Sequence, residues 1–110
     1  MKTIPLVRAA VVREASKFRP KTTGTCSVYV LITRESDGFG VYVGQTGKPP
    51  EERYEEHLLE YKSGKAKEVV DRVRAGMAHL SGISREEAEK LEVKLGGVLG
   101  RAGVMVRGAH

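Results

Sequence analysis

Tyr29, Tyr42, Arg53, His57 and Glu92 are the residues of this chain whose types and spacing could do chemistry. Arg53 and His57 stand four residues apart in a stretch with helical character, so they project together from one side of a helix. Arginine offers a planar fork of donors that matches phosphate oxygens, and histidine exchanges a proton near neutrality. Tyr29 and Tyr42 each sit in a short apolar run. A phenol of ordinary pKa, about 10, is a poor base unless a cation or a proton acceptor stands beside it. The set therefore reads as anion binding joined to proton transfer. Glu92 lies at the margin of an apolar stripe, either as a boundary residue or as a carboxylate aimed at something specific.

The elements that must position these side chains begin with a hairpin. Ser27 to Ile32 and Val41 to Gly44 are short, β-branched runs, and Asp37-Gly38 between them is turn chemistry. Alternate side chains of a strand go to opposite faces. Val28, Val30 and Ile32 thus share one face with Val41 and Val43, while Tyr29, Leu31 and Tyr42 share the other. Pro49-Pro50-Glu51-Glu52 then opens a helix, with proline in the first turn and acidic residues at the positive end of the dipole. Tyr54, Leu58 and Tyr61 form one stripe of that helix, beside Arg53 and His57.

Before the hairpin, Val7, Ala10, Val11 and Ala15 predict a short amphipathic helix within residues 1–25, with Arg8, Arg13 and Lys17 elsewhere around it. It is either a basic arm that touches phosphates or an added helix packed on the domain or on a partner subunit. Arg19-Pro20 through Gly24 breaks it. Ser63-Gly64 closes the Arg53 helix, and Ala66, Val69, Val70 and Val73 predict a second helix ending near Gly76. Met77 to Leu80 reads as a third strand. Ser84 with Glu87 forms a capping box for a further helix whose buried stripe is Ala88, Leu91 and Leu95. Val104 to Val106 has the character of a small edge strand.

In this order the residues resemble a GIY-YIG nuclease domain. Ser27-Val28-Tyr29 stands where that family has its first tripeptide and Tyr42-Val43-Gly44 where it has its second. Thr46, Arg53 and His57 fit the pattern that follows, and Glu87-Ala88 with Glu92 fits the segment that ends in the metal-binding glutamate. The resemblance runs from about Cys26 to Gly100. It implies an α+β (α/β) fold, a three-stranded antiparallel sheet flanked by helices, here with an extra N-terminal helix at residues 1–25 before a nuclease-like domain at 26–110. It also implies a divalent-metal-dependent endonuclease acting on DNA, with Mg²⁺ or Mn²⁺ held by Glu92. Tyr29 would be the base or relay, Tyr42 would orient water and phosphate, Arg53 would hold phosphate and His57 would take the proton. Thr46 and Lys48 are candidate substrate contacts. Ser27 replaces a glycine, and the chain has no asparagine, which many members place after the metal-binding glutamate. A module of the same fold that binds nucleic acid or protein without cutting, and an RNA-cleaving nuclease, are the alternative readings.

Duller roles remain open for each residue. The tyrosines could be strand aromatics, Arg53 could pair with Glu56 or Glu60, and His57 could be a surface histidine. Lys48 could be merely solvated, His79 is a remote contributor, and His110 carries no signal.

The 110 residues suffice for one small domain, with 40% hydrophobic and 30% charged residues. A net charge of +5 favours a polyanionic partner. The lone Cys26 excludes an intramolecular disulfide. No apolar run approaches the roughly 20 residues that cross a bilayer, and Arg8 interrupts the apolar stretch from Leu6 to Val12. The expectation is a cytoplasmic protein, with specificity supplied by loops, a homodimer or a partner protein.

Overall fold

A computed structural model of the chain describes residues 2–62, 64 and 67–108. Among these it forms α1 (Ile4–Ala15), β1 (Cys26–Glu35), β2 (Gly38–Thr46), α2 (Pro50–Lys62), β3 (Val69–Arg72), β4 (Ser81–Ile83), α3 (Arg85–Arg101) and β5 (Val106–Gly108). The fold is α+β, a mixed five-stranded sheet flanked by helices. The sheet is wider than the three antiparallel strands expected. β1 pairs antiparallel with β2 on one edge and with β3 and β4 on the other, and β5 adds to β2 in parallel. No helix among the described residues is long and apolar enough to cross a membrane.

The alternation in β1 and β2 sorts the molecule into layers. Val28, Val30, Ile32, Val41 and Val43 join Val7, Val11, Leu91, Leu95 and Leu99 in the main core, between the sheet and the helices α1 and α3. Tyr29, Leu31 and Val69 form a smaller cluster on the opposite face, packed by Tyr42 and by Tyr54 and Leu58 of α2. The hairpin parity is therefore as expected. So is the start of α3, where Ser84 Oγ accepts from the backbone N–H of Glu87 at 3.1 Å and satisfies one of the helix's orphan donors.

Three segments differ from expectation, and each differs because pairing with a distant strand outweighs local spacing. Val69, Val70 and Val73 are in or beside β3 rather than in a helix, and Ala66 lies outside the described residues. Valine is stiff at χ1 and suits a pleated surface, and the open edge of β1 supplies the partner, Leu31 opposite Arg72. Met77 to Leu80 is not a strand: Ala78–Leu80 is a single 3₁₀ turn, and the strand follows at Ser81–Ile83. Leu80 is fully buried there, and the ring of His79 donates from Nε2 to the carbonyl of Ala15 at 2.8 Å. The last strand lies two residues beyond the expected one, because Met105 gives only its carbonyl, to Val41 N–H at 2.9 Å, before β5 begins.

The N-terminal helix is part of the core rather than a loose arm. Val7, Val11 and Ala15 are fully buried, and Arg8 reaches Asp71 of β3 at 2.6 Å. Removing two methyl groups from such a position costs about 2 kcal/mol in transfer and cavity terms. Val11→Ala should lower the unfolding free energy by that amount in a urea titration while the transition stays single. An unchanged midpoint would make α1 a dispensable appendage.

Candidate active site on the α2 face of the sheet

Tyr29 points from the middle of β1 toward α2, and β2 makes room for it. Tyr29 and Gly44 are direct partners in the antiparallel register. A Cβ built on Gly44 would lie 2.5 Å from the Tyr29 hydroxyl and 2.6 Å from Cζ. The ring thus lies across a glycine, and no side chain larger than hydrogen fits beneath it. Tyr42, two residues earlier on the same face, stacks at 6.3 Å between ring centroids. His57 comes down from α2 with its ring centroid 4.6 Å from that of Tyr42.

The polar contacts close into a triangle. The Tyr29 hydroxyl lies 3.0 Å from His57 Nε2, and Arg53 Nη2 lies 3.3 Å from the same nitrogen. The Arg53 cation also acts on the Tyr29 phenol through its charge. A guanidinium has donors only, so Nε2 presents its lone pair and the imidazole proton sits on Nδ1. Nδ1 in turn faces a Glu60 carboxylate oxygen at 3.9 Å. Tyr29 and His57 are 3% and 4% exposed, so the hydroxyl and ring are satisfied by one another rather than by bulk water.

Burial, and next the Arg53 cation, hold the His57 pKa below its ordinary 6.5, with Glu60 and Glu56 opposing. The imidazole is therefore neutral at pH 7 and free to accept. Burial and the neighbouring Tyr42 push the Tyr29 phenol up to about 12 against the pull of Arg53, and the charge of Glu92 adds to the rise. At pH 7 only about one Tyr29 in 10⁵ would ionise to solvent. Its proton can leave only toward a local acceptor, and His57 Nε2 is that acceptor.

Other expected residues are placed as follows. Glu92 is half-buried on α3 and lines a cleft of about 520 Å³ with Gln45, Glu86 and Glu89. Tyr29, Tyr42, Arg53 and His57 do not line that cleft, and the charge of Glu92 is felt at Tyr29. Thr46 is buried, and its hydroxyl accepts from the backbone N–H of Lys48 at 2.9 Å, so it shapes the turn into α2. The Lys48 ammonium lies 2.9 Å from Glu56, which also pairs with Arg53. Of the two partners expected for Arg53, Glu56 takes the role. His79 is engaged with α1, and His110 lies outside the described residues.

Two features were not read from sequence. The seat that Gly44 gives Tyr29 depends on cross-strand register, for which the matching hairpin lengths were the available signal. The place of Glu60 opposite His57 Nδ1 follows from their spacing of three on α2, an ordinary helical contact.

The donor set can be tested against a divalent cation. Among the described residues no group of three or more His, Cys, Asp or Glu side chains converges. Protein coordination would come from the single carboxylate of Glu92, which fits a magnesium ion that keeps most of its waters and takes phosphate oxygens from substrate. It does not fit a metal that demands an all-protein cage. Comparisons of the chain with protein-family models, with curated proteins and with solved structures found no match.

Gly44→Ala drives the new methyl into the Tyr29 ring. It should cost about 1–3 kcal/mol of stability as an overpacking change. In a double-mutant cycle by denaturant unfolding, Tyr29→Ala should recover most of that loss, since it removes the ring the methyl meets. Additive effects would mean that the ring does not rest on Gly44.

Proposed function

We propose that the chain is a divalent-metal-dependent endonuclease that hydrolyses phosphodiester bonds in DNA, with a GIY-YIG-like site. One observation carries the reading: a buried tyrosine hydroxyl, a neutral imidazole lone pair and a guanidinium meet within 3.0–3.3 Å. Strand aromatics and a surface histidine have no reason to converge in this way. A phosphodiester needs three things that the triangle offers: a cation for the phosphate oxygens, a proton acceptor for the attacking water, and a route that carries the proton away.

In the proposed reaction Arg53 donates to a non-bridging phosphate oxygen. Water attacks phosphorus as its proton passes to the Tyr29 oxygen, and the Tyr29 proton passes to His57 Nε2. The imidazolium formed keeps its Nδ1–H toward Glu60, whose negative charge favours it. The bond to the leaving oxygen breaks, that oxygen takes a proton from solvent, and His57 later returns its own proton to water. Glu92 would hold the divalent ion, which supplies charge neutralisation at the leaving oxygen. Tyr42, its ring tilted against that of His57 at 4.6 Å between centroids, would orient water and phosphate.

A second reading, a module that binds nucleic acid without cutting, has specific observations in its favour. The chain has no asparagine to complete the family pattern, and among the described residues Glu92 is not joined by two further ligand side chains. Cutting of plasmid or of labelled DNA in Mg²⁺ or Mn²⁺, against EDTA, separates the two readings. An RNA strand offered alongside tests the polymer.

Glu92→Ala and Arg53→Ala should each lower turnover by about 10²–10³, the usual loss when a charge-stabilising group is removed. Tyr29→Phe should slow turnover by about 10²–10⁴, more than Tyr42→Phe does. The reverse order would exchange their roles, and full activity in Glu92→Ala would remove the metal assignment.

The pH profile separates the relay from a free tyrosinate. His57 accepts only when neutral, so activity should fall as pH drops through its lowered pKa, with the half-point below 6.5, and should be level above neutrality. If Tyr29 had to ionise to solvent first, the rate would climb about tenfold per pH unit toward about 12.

A further inference from the structure

The parallel register of β5 on β2 pairs Arg107 with Tyr42, so both side chains stand on the α2 side of the sheet. Tyr42, His57, Lys67 and Arg107 line one cavity of about 390 Å³. Lys67 and Arg107 also line its neighbour, about 400 Å³, which extends to Lys2. The two share Lys67 and Arg107 and make a trough that leads away from His57. The trough is not uniformly basic, because Glu60, Glu35 and Asp37 stand on it. What sets Arg107 apart is its fixed direction.

Glu35 provides that direction. Its two oxygens accept from Arg107 Nε at 3.0 Å and Nη2 at 2.9 Å, and the Thr33 hydroxyl donates to it at 2.8 Å. The Glu35 side chain is 9% exposed, whereas that of Arg107 is 41% exposed. The Arg107 cation is the main reason that the Glu35 carboxyl stays below its usual range, so the pair is ionised throughout neutral pH. A guanidinium has five N–H donors. Glu35 takes one from Nε and one from Nη2, and among the described residues no other acceptor is recorded for Arg107. Glu35 stands in the trough wall with both oxygens engaged by Arg107, which leaves the other N–H groups of the guanidinium for a ligand.

We propose that Arg107 is a phosphate-binding residue of the substrate groove, aimed by Glu35, which holds the nucleic-acid strand at a phosphate neighbouring the one presented to Arg53. The inference rests on the nuclease reading and extends it: the strand lies along β2 and past β5, and β5 is a specificity element as well as a sheet edge. Lys67, 4.0 Å from Glu35, adds charge to the same stretch.

The test is equilibrium binding of a labelled oligonucleotide, single-stranded and duplex, by fluorescence anisotropy in EDTA across a series of salt concentrations. Arg107→Gln should weaken binding about tenfold at fixed salt. It should also lower the slope of log K against log salt by about 0.7–0.9, one phosphate contact. Glu35→Gln/Arg107→Gln, which strands no buried carboxylate, should show the same two losses with a melting temperature near that of the wild type. A merely structural role for Arg107 would leave the slope of this double variant unchanged, and that result overturns the inference. Arg107→Lys should keep the slope and lose part of the affinity, because a point charge replaces the fork. If the wild-type protein binds no oligonucleotide, the nuclease reading fails and this inference with it. If it binds and cuts while both glutamine variants bind equally well, only this inference falls.

Discussion

The hydrogen bond between Tyr29 and His57 is the constraint on which the α2 side of the molecule depends. A buried hydroxyl or imidazole left without a partner costs about 1–3 kcal/mol, so neither residue is tolerable here without the other. Their meeting needs Gly44 beneath the ring and needs α2 held at the right height by Tyr54 and Leu58 against Leu31 and Val69. The apolar cluster on this face is small, and the aromatic and polar pair is a large part of what α2 packs against. The candidate chemistry and the local core are therefore one construction. A side chain rigid enough to relay a proton is also the side chain that docks the helix.

Charge is distributed with the same economy. The chain carries +5, yet many of its cations are paired near the surface: Arg34 with Glu68, Arg72 and Arg74 with Glu51, Arg8 with Asp71. Exposed pairs of this kind contribute little to stability. They do remove positive charge from those faces, so net charge alone says little about where a polyanion would lie. At the cluster the balance differs. Arg53 is shared among Glu56, His57 and Tyr29, and its cation lowers the His57 pKa while favouring a tyrosinate. Burial together with this guanidinium keeps the imidazole neutral, and the same cation works against the rise that burial gives the Tyr29 pKa.

The parts legible in the sequence are those whose physics is local. The parity of Val28, Val30 and Ile32 against Tyr29 and Leu31 is written in a two-residue period. The capping serine of α3 and the proline start of α2 follow from neighbours within one turn. β3 was not legible, because Val69, Val70 and Val73 also satisfy a helical spacing and only the free edge of β1, over thirty residues away in sequence, decides for a strand. The same holds for β4, and for the bounds of β5, whose strand character showed in the sequence two residues early, at Val104 to Val106. For the site, Tyr29, Tyr42, Arg53, His57 and Glu92 could be picked out one by one. Their contacts, the tautomer of His57 and the direction of Arg107 could not, since each depends on register between strands.

That register links the two ends of the α2 face. Ser27, Tyr29, Leu31, Thr33 and Glu35 are alternate residues of β1, and β2 opposes them with Thr46, Gly44, Tyr42, Gly40 and Gly38. Tyr29 receives His57 and Glu35 receives Arg107, so a single strand sets both the proposed relay and the cation farther along the trough. Strand rise of about 3.3 Å per residue places Glu35 about 20 Å along β1 from Tyr29, while Arg107, opposite Tyr42, lines one cavity with His57. A slip of one residue would turn Tyr29 and Glu35 toward α1 and α3 and Val28 and Ile32 toward α2, placing a carboxylate in the main core. The cost of burying that charge unpaired is large. The aliphatic face therefore guards the register of the polar one, and the spacing between the Tyr29–His57 pair and the Glu35–Arg107 pair is held by the core on the far side of the sheet.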